Sequence, residues 1–174
     1  MKEVKINLRP ATTADKNAVD FVALGTLYDR AFSEERGYEA IAQLLRSNGA
    51  WAEIAETPTP EGRIAVGFIV GAVAADEVEV FSIGVDPDWR GLGVGRALLQ
   101  SFLNHGVETS ATAAFLEVAV DNALALKLYE KTGFTEIGKR KGYYRRKNGV
   151  RIDAVILKRL LDPPAFCEVS TGDY

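Results

Sequence analysis

The sequence is poor in cysteine and histidine, with one residue of each, Cys167 and His105. A single cysteine cannot form an intramolecular disulfide, and one cysteine with one histidine cannot build a zinc cluster. His105 precedes Gly106 at the expected end of a helix, where it would face the negative end of the helix dipole. This placement favours a structural histidine over a member of a Ser-His-Asp triad, and no metal site is expected.

Long apolar runs and a strong excess of charge are also missing. The longest apolar run, IAVGFIVGAVAA, is shorter than the ~18 residues that a membrane span needs, and the first ten residues lack the apolar core of a signal peptide. The formal net charge of −3 argues against a general nucleic-acid binder. These absences predict a cytoplasmic protein with no membrane association and no direct nucleic-acid binding.

What the chain does have suits one globular domain. Its 174 residues and hydrophobic fraction of 47% are enough for a sizeable core. We expect the domain to cover residues 1–161 and a polar, proline-containing tail to cover residues 162–174, with Cys167 incidental in that tail.

The spacing of apolar residues predicts the order β-α-α-β-β-β-α-β-α-β-β, a sheet with helices on its faces. A helix capped by Thr12 or Thr13 is expected before a second one over residues 33–49, and TPTPEG is expected to be a turn between strands. A third helix should end near residue 105, and Asn122 should cap the fourth. The predicted strands are 4–9, 50–56, 63–74, 77–85, 113–120, 134–144 and 151–160.

The stretch RGLGVGR, residues 90–96, stands between a predicted strand and a predicted helix. The N–H groups at a helix start are unsatisfied, and glycine allows the backbone a positive φ, so such a turn can form a nest for phosphate. Arg90 and Arg96 would add charge-assisted contacts. A Walker loop is excluded because Gly95 is followed by Arg96 and Ala97, and no acidic residue stands where a dinucleotide fingerprint needs it. A glycine-rich loop with no ligand remains an alternative.

Two further residues stand out for their settings. Glu117 lies within the apolar strand FLEVAV, where an ionisable group is unfavourable unless it is paired or hydrated. It is either a candidate general base or a strand-edge glutamate paired with a lysine. Tyr129 falls on the same helical face as Asn122, and from spacing alone it is equally a core aromatic.

Residues 78–134 resemble the coenzyme A-binding half of the GNAT superfamily of acetyltransferases. The resemblance rests on IGVDPDWRGLGVGRALL, which holds the family's R/Q-x-x-G-x-G/A motif, and on LEVAVDNALALKLYEKTGF. Together with GKRKGYY and IDAVILK, the sequence is most similar to the RimI type, the bacterial ribosomal-protein-alanine N-acetyltransferases. The resemblance implies an α/β (α+β) GNAT fold, with a mixed, mostly antiparallel seven-stranded sheet flanked by four helices.

The resemblance also implies roles for single residues. Glu117 matches the family's catalytic base, and Tyr129 matches the tyrosine that protonates the leaving thiolate. Gly84 fits a strand bulge that exposes backbone amides, or else it is a small residue in a crowded sheet. Tyr143 and Tyr144 match the substrate-side tyrosine pair. The residues matching acetyl-CoA contacts are Ile83, Gly84, Val85, Arg90, Gly91, Leu92, Gly93, Val94, Gly95, Arg96 and Asn122.

The activity so implied is acetyl transfer from acetyl-CoA to the N-terminal α-amino group of a protein, foremost the N-terminal alanine of a ribosomal protein. The same chemistry on a small amine or on lysine is the alternative, followed by an acyl-CoA-binding module without turnover. The basic hairpin over residues 139–147 is either a solvated surface or a contact for an acidic partner. The sequence leaves the oligomeric state open.

Overall fold

The computed structural model describes residues 5–12, 19–33, 35–146 and 148–162. Within these ranges the chain forms seven strands and four helices in the predicted order. The strands are β1 Asn7–Pro10, β2 Ala50–Thr59, β3 Gly62–Ala74, β4 Glu77–Val85, β5 Ala113–Ala119, β6 Thr135–Arg145 and β7 Arg151–Leu160. The helices are α1 Val19–Phe32, α2 Gly37–Leu44, α3 Val94–Glu108 and α4 Ala123–Lys131.

All seven strands belong to one sheet with the order β1-β2-β3-β4-β5-β7-β6. Neighbouring strands are antiparallel except for β4 and β5, which are joined through α3 and run parallel. A parallel pair needs a crossover of this kind, whereas antiparallel neighbours can be joined by tight turns. The predicted mixed, mostly antiparallel sheet is therefore confirmed.

A hydrophobic core lies on each face of the sheet. Phe21, Leu24 and Ile41 from α1 and α2 pack on Ile54 and Phe68 of the sheet. The other core joins the opposite face to α3 and α4; among its members are Leu98, Phe102, Leu116, Tyr129 and Leu157. The alternation of side chains along each strand sends successive residues to the two cores, and this alternation fixes the strand register.

Several predicted boundaries were wrong. The second helix covers Gly37–Leu44 instead of 33–49. The strands β2 and β3 continue through most of TPTPEG, with Pro58 paired with Arg63, so that the turn is only Pro60 and Glu61. Helix α3 continues past Gly106 and ends at Glu108. The glycine does not end the helix; it allows the helix to pack closely on Val78 of β4.

Two predictions at the ends of the chain lie outside the described residues. The first concerns Thr13 as a helix cap; Thr12 is described, and its N–H donates to Asp20 Oδ2 at 2.8 Å. The second concerns the tail with Cys167, of which residues 163–174 are not described. In the described part of the chain, every helix is too short or too polar to cross a membrane.

Strand β4 carries a bulge, but at a different residue from the one expected. The register with β3 changes between Ser82 and Val80, which leaves Phe81 as the extra residue. Gly84 pairs regularly with Phe68, so the predicted bulge at Gly84 was wrong. A Cβ at Gly84 would collide with the Phe68 ring and lie 2.9 Å from Ala31 Cβ. Glycine is required there by the close approach of α1 to the sheet.

Candidate active site

The sheet opens between its two parallel strands. The pairing of β4 with β5 runs as far as Val80 and Leu116, and beyond it Glu117 to Ala119 pair with β7 only. Asp86 N–H donates to Val66 O of β3 at 3.0 Å. Because main-chain groups alternate sides along an antiparallel strand, Ile83 and Val85 direct theirs toward the opening, while Gly84 directs its own toward β3. The opening is therefore lined on one side by backbone donors and acceptors.

The RGLGVGR stretch lies at one end of this opening and forms the start of α3. Gly91 and Gly93 have φ values of +74° and +86°, in the left-handed region, and a Cβ at either position would meet no atom within 4 Å. Gly93 is the N-cap, and no side chain caps the helix. The first N–H groups of α3 are thus left for an external acceptor, and the helix dipole makes this acceptor an anion. Gly95 faces Val85 of β4 and Leu128 of α4, each with an atom 3.6 Å from where its Cβ would be.

The two arginines of this stretch have different surroundings. The Arg90 guanidinium donates to the carbonyls of Ala31 at 2.7 Å and Val85 at 3.3 Å, so it ties the turn to α1 and β4. Arg96 is exposed and has no hydrogen bond or ion pair with any other part of the chain that the structure describes. A cation in the first turn of a helix is unfavourable next to the positive dipole end unless an anion binds there. Arg96 is therefore the better placed of the two to meet a phosphate.

Asn122 caps α4, as predicted. Its side-chain oxygen accepts a hydrogen bond from Ala125 N–H at 3.2 Å. This bond turns the chain from the end of β5 into α4 and so places Leu128 beside the opening.

Glu117 lies in β5, where β4 has already separated from it. The Arg140 guanidinium donates to its Oε1 at 2.7 Å, and burial together with the Glu117 carboxylate raises the pKa of the Tyr143 hydroxyl. The Glu117 side chain is 19% exposed and that of Arg140 is 52% exposed. Because β5 is an interior strand and the partner is an arginine, the alternative of an edge glutamate paired with lysine was wrong in both details.

An irregularity in β6 brings these partners together. Between the paired residues Arg140 and Tyr144 the strand has more residues than its partner β7. Gly142 lies in this bulge with φ +58°, and its N–H donates to Asp153 Oδ1 at 2.7 Å. Glycine is suited to this conformation, and the aspartate satisfies the N–H that the bulge removes from the ladder. The bulge lets Arg140 and Tyr143 both reach Glu117 from the strand beyond β7.

The tyrosine pair lies directly over Glu117. Tyr144 donates its hydroxyl hydrogen to Glu117 O at 3.1 Å, and the rings of Tyr143 and Tyr144 make an edge-to-face contact at 5.1 Å. Burial, with the negative charge of Glu117, raises the pKa of Tyr144 to about 12. Burial and the Glu117 carboxylate raise the pKa of Tyr143 as well. Both tyrosines therefore keep their protons at neutral pH and can act as hydrogen-bond donors.

Tyr129 is a buried member of the core, 5% exposed, with its ring against Phe134. Its pKa is raised well above the usual range, chiefly by burial and secondarily by the Tyr144 hydroxyl. Of these two tyrosines, only Tyr144 forms a hydrogen bond with Glu117 in the described chain. Tyr129 is thus a core aromatic, as the alternative held, and it also stays a candidate site residue.

A groove of about 380 Å³ runs along the sheet face beside Glu117. Glu79 and Phe81 of β4 line it together with Phe115 and Ile156. Burial and the negative charge of Glu117 raise the pKa of Glu79. The groove lies on the same face as α1 and α2 and offers an acceptor molecule a mainly apolar wall with acidic groups.

Sequence reasoning did not find Arg140, Asp153 or Glu79. Arg140 is one of several cations in KRKGYYRRK, and nothing in that run separates it from Lys139 or Lys141. Gly142 within a strand pattern is the one local signal for the bulge. The predicted phosphate stretch, Glu117 and the tyrosines are arranged around one opening.

Comparison with known proteins gives matches over most of the chain. A model described as "Acetyltransferase (GNAT) family" matches residues 21–134. The [Ribosomal protein bS18]-alanine N-acetyltransferase of Escherichia coli K12 is 39% identical over 99 residues, which are 57% of this chain and 66% of that protein, just under two thirds of its length. N-alpha-acetyltransferase RimI of Mycobacterium tuberculosis is 35% identical over 148 residues, 76% of this chain and 89% of the relative. The crystal structure of the Escherichia coli ribosomal-protein-S18-alanine N-acetyltransferase has a TM-score of 0.76 and 26% identity, covering 91% of this chain and 95% of that one.

Proposed function

The chain belongs to the GNAT family of acetyltransferases, and we propose that it transfers the acetyl group of acetyl-CoA to the N-terminal α-amino group of a protein, the N-terminal alanine of a ribosomal protein. The observation that carries the proposal is the opening between β4 and β5. It has an uncapped helix start at one end and Glu117 with two tyrosines beside it. The names of the relatives supply the acceptor.

The residues present fit coenzyme A. The N–H groups that follow Gly93, together with Arg96, suit a pyrophosphate. The main-chain groups of Ile83 and Val85 can pair with the amides of the pantetheine arm in the manner of an added strand. Gly91, Leu92 and Val94 contribute backbone to the same turn, and Asn122 contributes by setting the direction of α4. Arg90 holds the turn in place through its two carbonyl contacts.

Acetyl-CoA supplies a thioester whose C–S bond breaks as the C–N bond to the acceptor amine forms. Glu117, acting directly or through a water molecule, accepts the proton that the amine loses, which is worth roughly 10²–10⁴ in rate. An α-amine with a pKa near 7.8 is roughly one-third neutral at about pH 7.5, whereas about 0.1% of a lysine is neutral. A modest base therefore suffices for the first acceptor and not for the second, which favours a protein N-terminus.

We propose that Tyr129 stabilises the departing sulfur. Burial raises its pKa far above the ~8.5 of an ordinary thiol, so complete proton transfer to a thiolate is uphill. We therefore propose that the Tyr129 hydroxyl donates a hydrogen bond to the sulfur as negative charge develops there. Tyr143 and Tyr144 hold the acceptor beside Glu117, with their hydroxyl protons retained at neutral pH.

The test is thiol release from acetyl-CoA with three acceptors. These are a peptide that begins with alanine, the same peptide blocked at its N-terminus and carrying one lysine, and a small primary amine. The alanine peptide should give the highest kcat/KM. Preference for either other acceptor would select the alternative activity, and thiol release with none of them would select a binding module. Mass spectrometry of ribosomal proteins from a deletion strain would identify the cellular acceptor.

The variant Glu117→Gln tests the base. It should lose 10²–10⁴ in kcat, the usual range for a general base, while binding of acetyl-CoA, measured by calorimetry, stays at the wild-type level. Turnover near the wild-type value would remove Glu117 from the reaction.

A further inference from the structure

A cation of the chain itself is paired with Glu117. Arg140 Nη1 lies 2.7 Å from Oε1 of the carboxylate that the acceptor amine must reach. Burial and this carboxylate together raise the pKa of the Tyr143 hydroxyl, which therefore keeps its proton beside the ion pair. An acceptor amine that is to pair with Oε1 must replace the Arg140 guanidinium there.

The surroundings explain why a positive charge is held there. Glu79 lies on the neighbouring strand and faces the same groove, and the negative charge of Glu117 acts on it. Without a cation, two carboxylates would share a partly buried wall, which is unfavourable. Lys158 is on the same sheet face, but its ammonium lies over the Phe115 ring, 5.0 Å from the centroid, and it forms no ion pair with either acid in the described chain.

The surroundings of Arg140 also allow its side chain to move away from Glu117. Its side chain is half exposed, so water can solvate the guanidinium when the ion pair breaks. The Tyr143 ring lies beneath it, 4.4 Å from the guanidinium carbon to the ring centroid, and provides a cation–π seat next to Glu117. Arginine has a long, flexible stem, and this one extends from the bulged edge strand β6.

We infer that Arg140 is a specificity-determining residue that fills the cation position on Glu117 until an acceptor with its own positive charge replaces it. This inference rests on the proposed function. An incoming α-ammonium replaces one cation by another, so Glu117 keeps a cationic partner while the acceptor binds and until it takes up the proton of that ammonium. A neutral acceptor, such as an alcohol or an amide, would leave the carboxylate without its cation, which is costly at a partly buried position. The exchange thereby selects charged amines.

The inference predicts how the acceptor KM responds to removal of Arg140. When a site is filled by an internal competitor, the apparent affinity for the ligand falls by the fraction of time the site is free. In Arg140→Ala the KM of the alanine peptide, at saturating acetyl-CoA, should fall roughly two- to fivefold, the range expected for a half-exposed ion pair. Methylguanidinium chloride added to this variant should inhibit competitively against the peptide, because it can occupy the vacated position, and should inhibit the wild type less.

The matched control is Arg146→Ala. Arg146 belongs to the same hairpin, but its ion pair is with Asp121 at 2.6 Å and not with Glu117. Its removal should leave the peptide KM and the response to methylguanidinium unchanged. Melting temperatures of both variants identify any loss of folding, and Arg140→Lys, which keeps the charge, should return KM toward the wild-type value.

The outcomes separate the inference from the proposed function. An unchanged or higher KM in Arg140→Ala refutes the inference alone, provided that the wild type acetylates the peptide. A lower kcat at constant KM also refutes it, because Arg140 would then only orient Glu117. If the wild type acetylates none of the N-terminal peptides, the proposed function fails and the inference fails with it.

Discussion

Replacement of Gly84 by alanine should destabilise the fold through a collision in the core. The new Cβ would lie 2.9 Å from Ala31 Cβ and closer still to the Phe68 ring. Phe68 is completely buried, so its ring cannot turn aside without disturbing the core beneath α1. Overpacking of this kind costs about 1–3 kcal/mol. In a chain of this size each kcal/mol lowers Tm by about 2–4 °C, so the expected decrease is roughly 2–12 °C.

Gly95→Ala provides the matched control for this experiment. Its Cβ would lie 3.6 Å from Leu128 Cδ2 and Val85 Cγ2, which is ordinary van der Waals contact, and alanine favours the helix in which it stands. Thermal and urea unfolding of the two variants should therefore show a loss of stability only for Gly84→Ala. If Gly84→Ala melts at the wild-type temperature, the packing argument is wrong, and a role for Gly84 in backbone flexibility becomes the better explanation.

Three further predictions concern other parts of the molecule. Gly93→Ala forces a side chain into the left-handed region at a cost of about 1–2 kcal/mol. Calorimetry should show that it binds acetyl-CoA more weakly than Gly93→Asn does, because asparagine tolerates that conformation. Equal affinities of the two variants would exclude the backbone explanation. The Arg9 guanidinium holds the pKa of Asp20 below its usual range, so this ion pair stabilises the fold above about pH 4 and the contribution is lost as pH falls through the lowered pKa. Near neutral pH, Asp20→Asn should have a free energy of unfolding about 1–3 kcal/mol below that of the wild type, measured by urea titration. This difference should disappear at strongly acid pH, and a difference that does not depend on pH would contradict the ion-pair origin. Asp153→Ala leaves the Gly142 N–H without its acceptor and should lower the free energy of unfolding by about 1–3 kcal/mol in urea titrations. Asp153→Asn keeps an oxygen that can accept from this N–H and should be milder; equal losses would argue against the hydrogen bond as the cause.

The order of helices and strands could be read from the sequence because it depends on local patterns. Apolar residues recur with the helical or the strand period in each segment, and Asn122 and Gly93 stand where a helix must begin. The same local logic predicted a turn suited to phosphate, since glycines with positive φ before a helix start leave main-chain N–H groups available to an anion. Element boundaries were predicted less accurately. Gly106 was taken as a helix end because the reason for a glycine there, close packing on Val78 of β4, involves a residue far away in the sequence.

The tertiary structure alone decided what surrounds Glu117. Its partner Arg140 lies 23 residues away in sequence and reaches it from beyond β7, because a bulge at Gly142 shifts the register of an edge strand. The role of Gly84 was decided in the same way, since the residues that forbid a side chain there belong to α1 and β3. Contacts of this kind depend on strand order and register, which arise from the packing of the whole sheet and leave no local pattern in the chain. The sequence by itself determined the elements and the glycine-rich turn before α3; the packed sheet determined that Arg140 is the cation paired with Glu117.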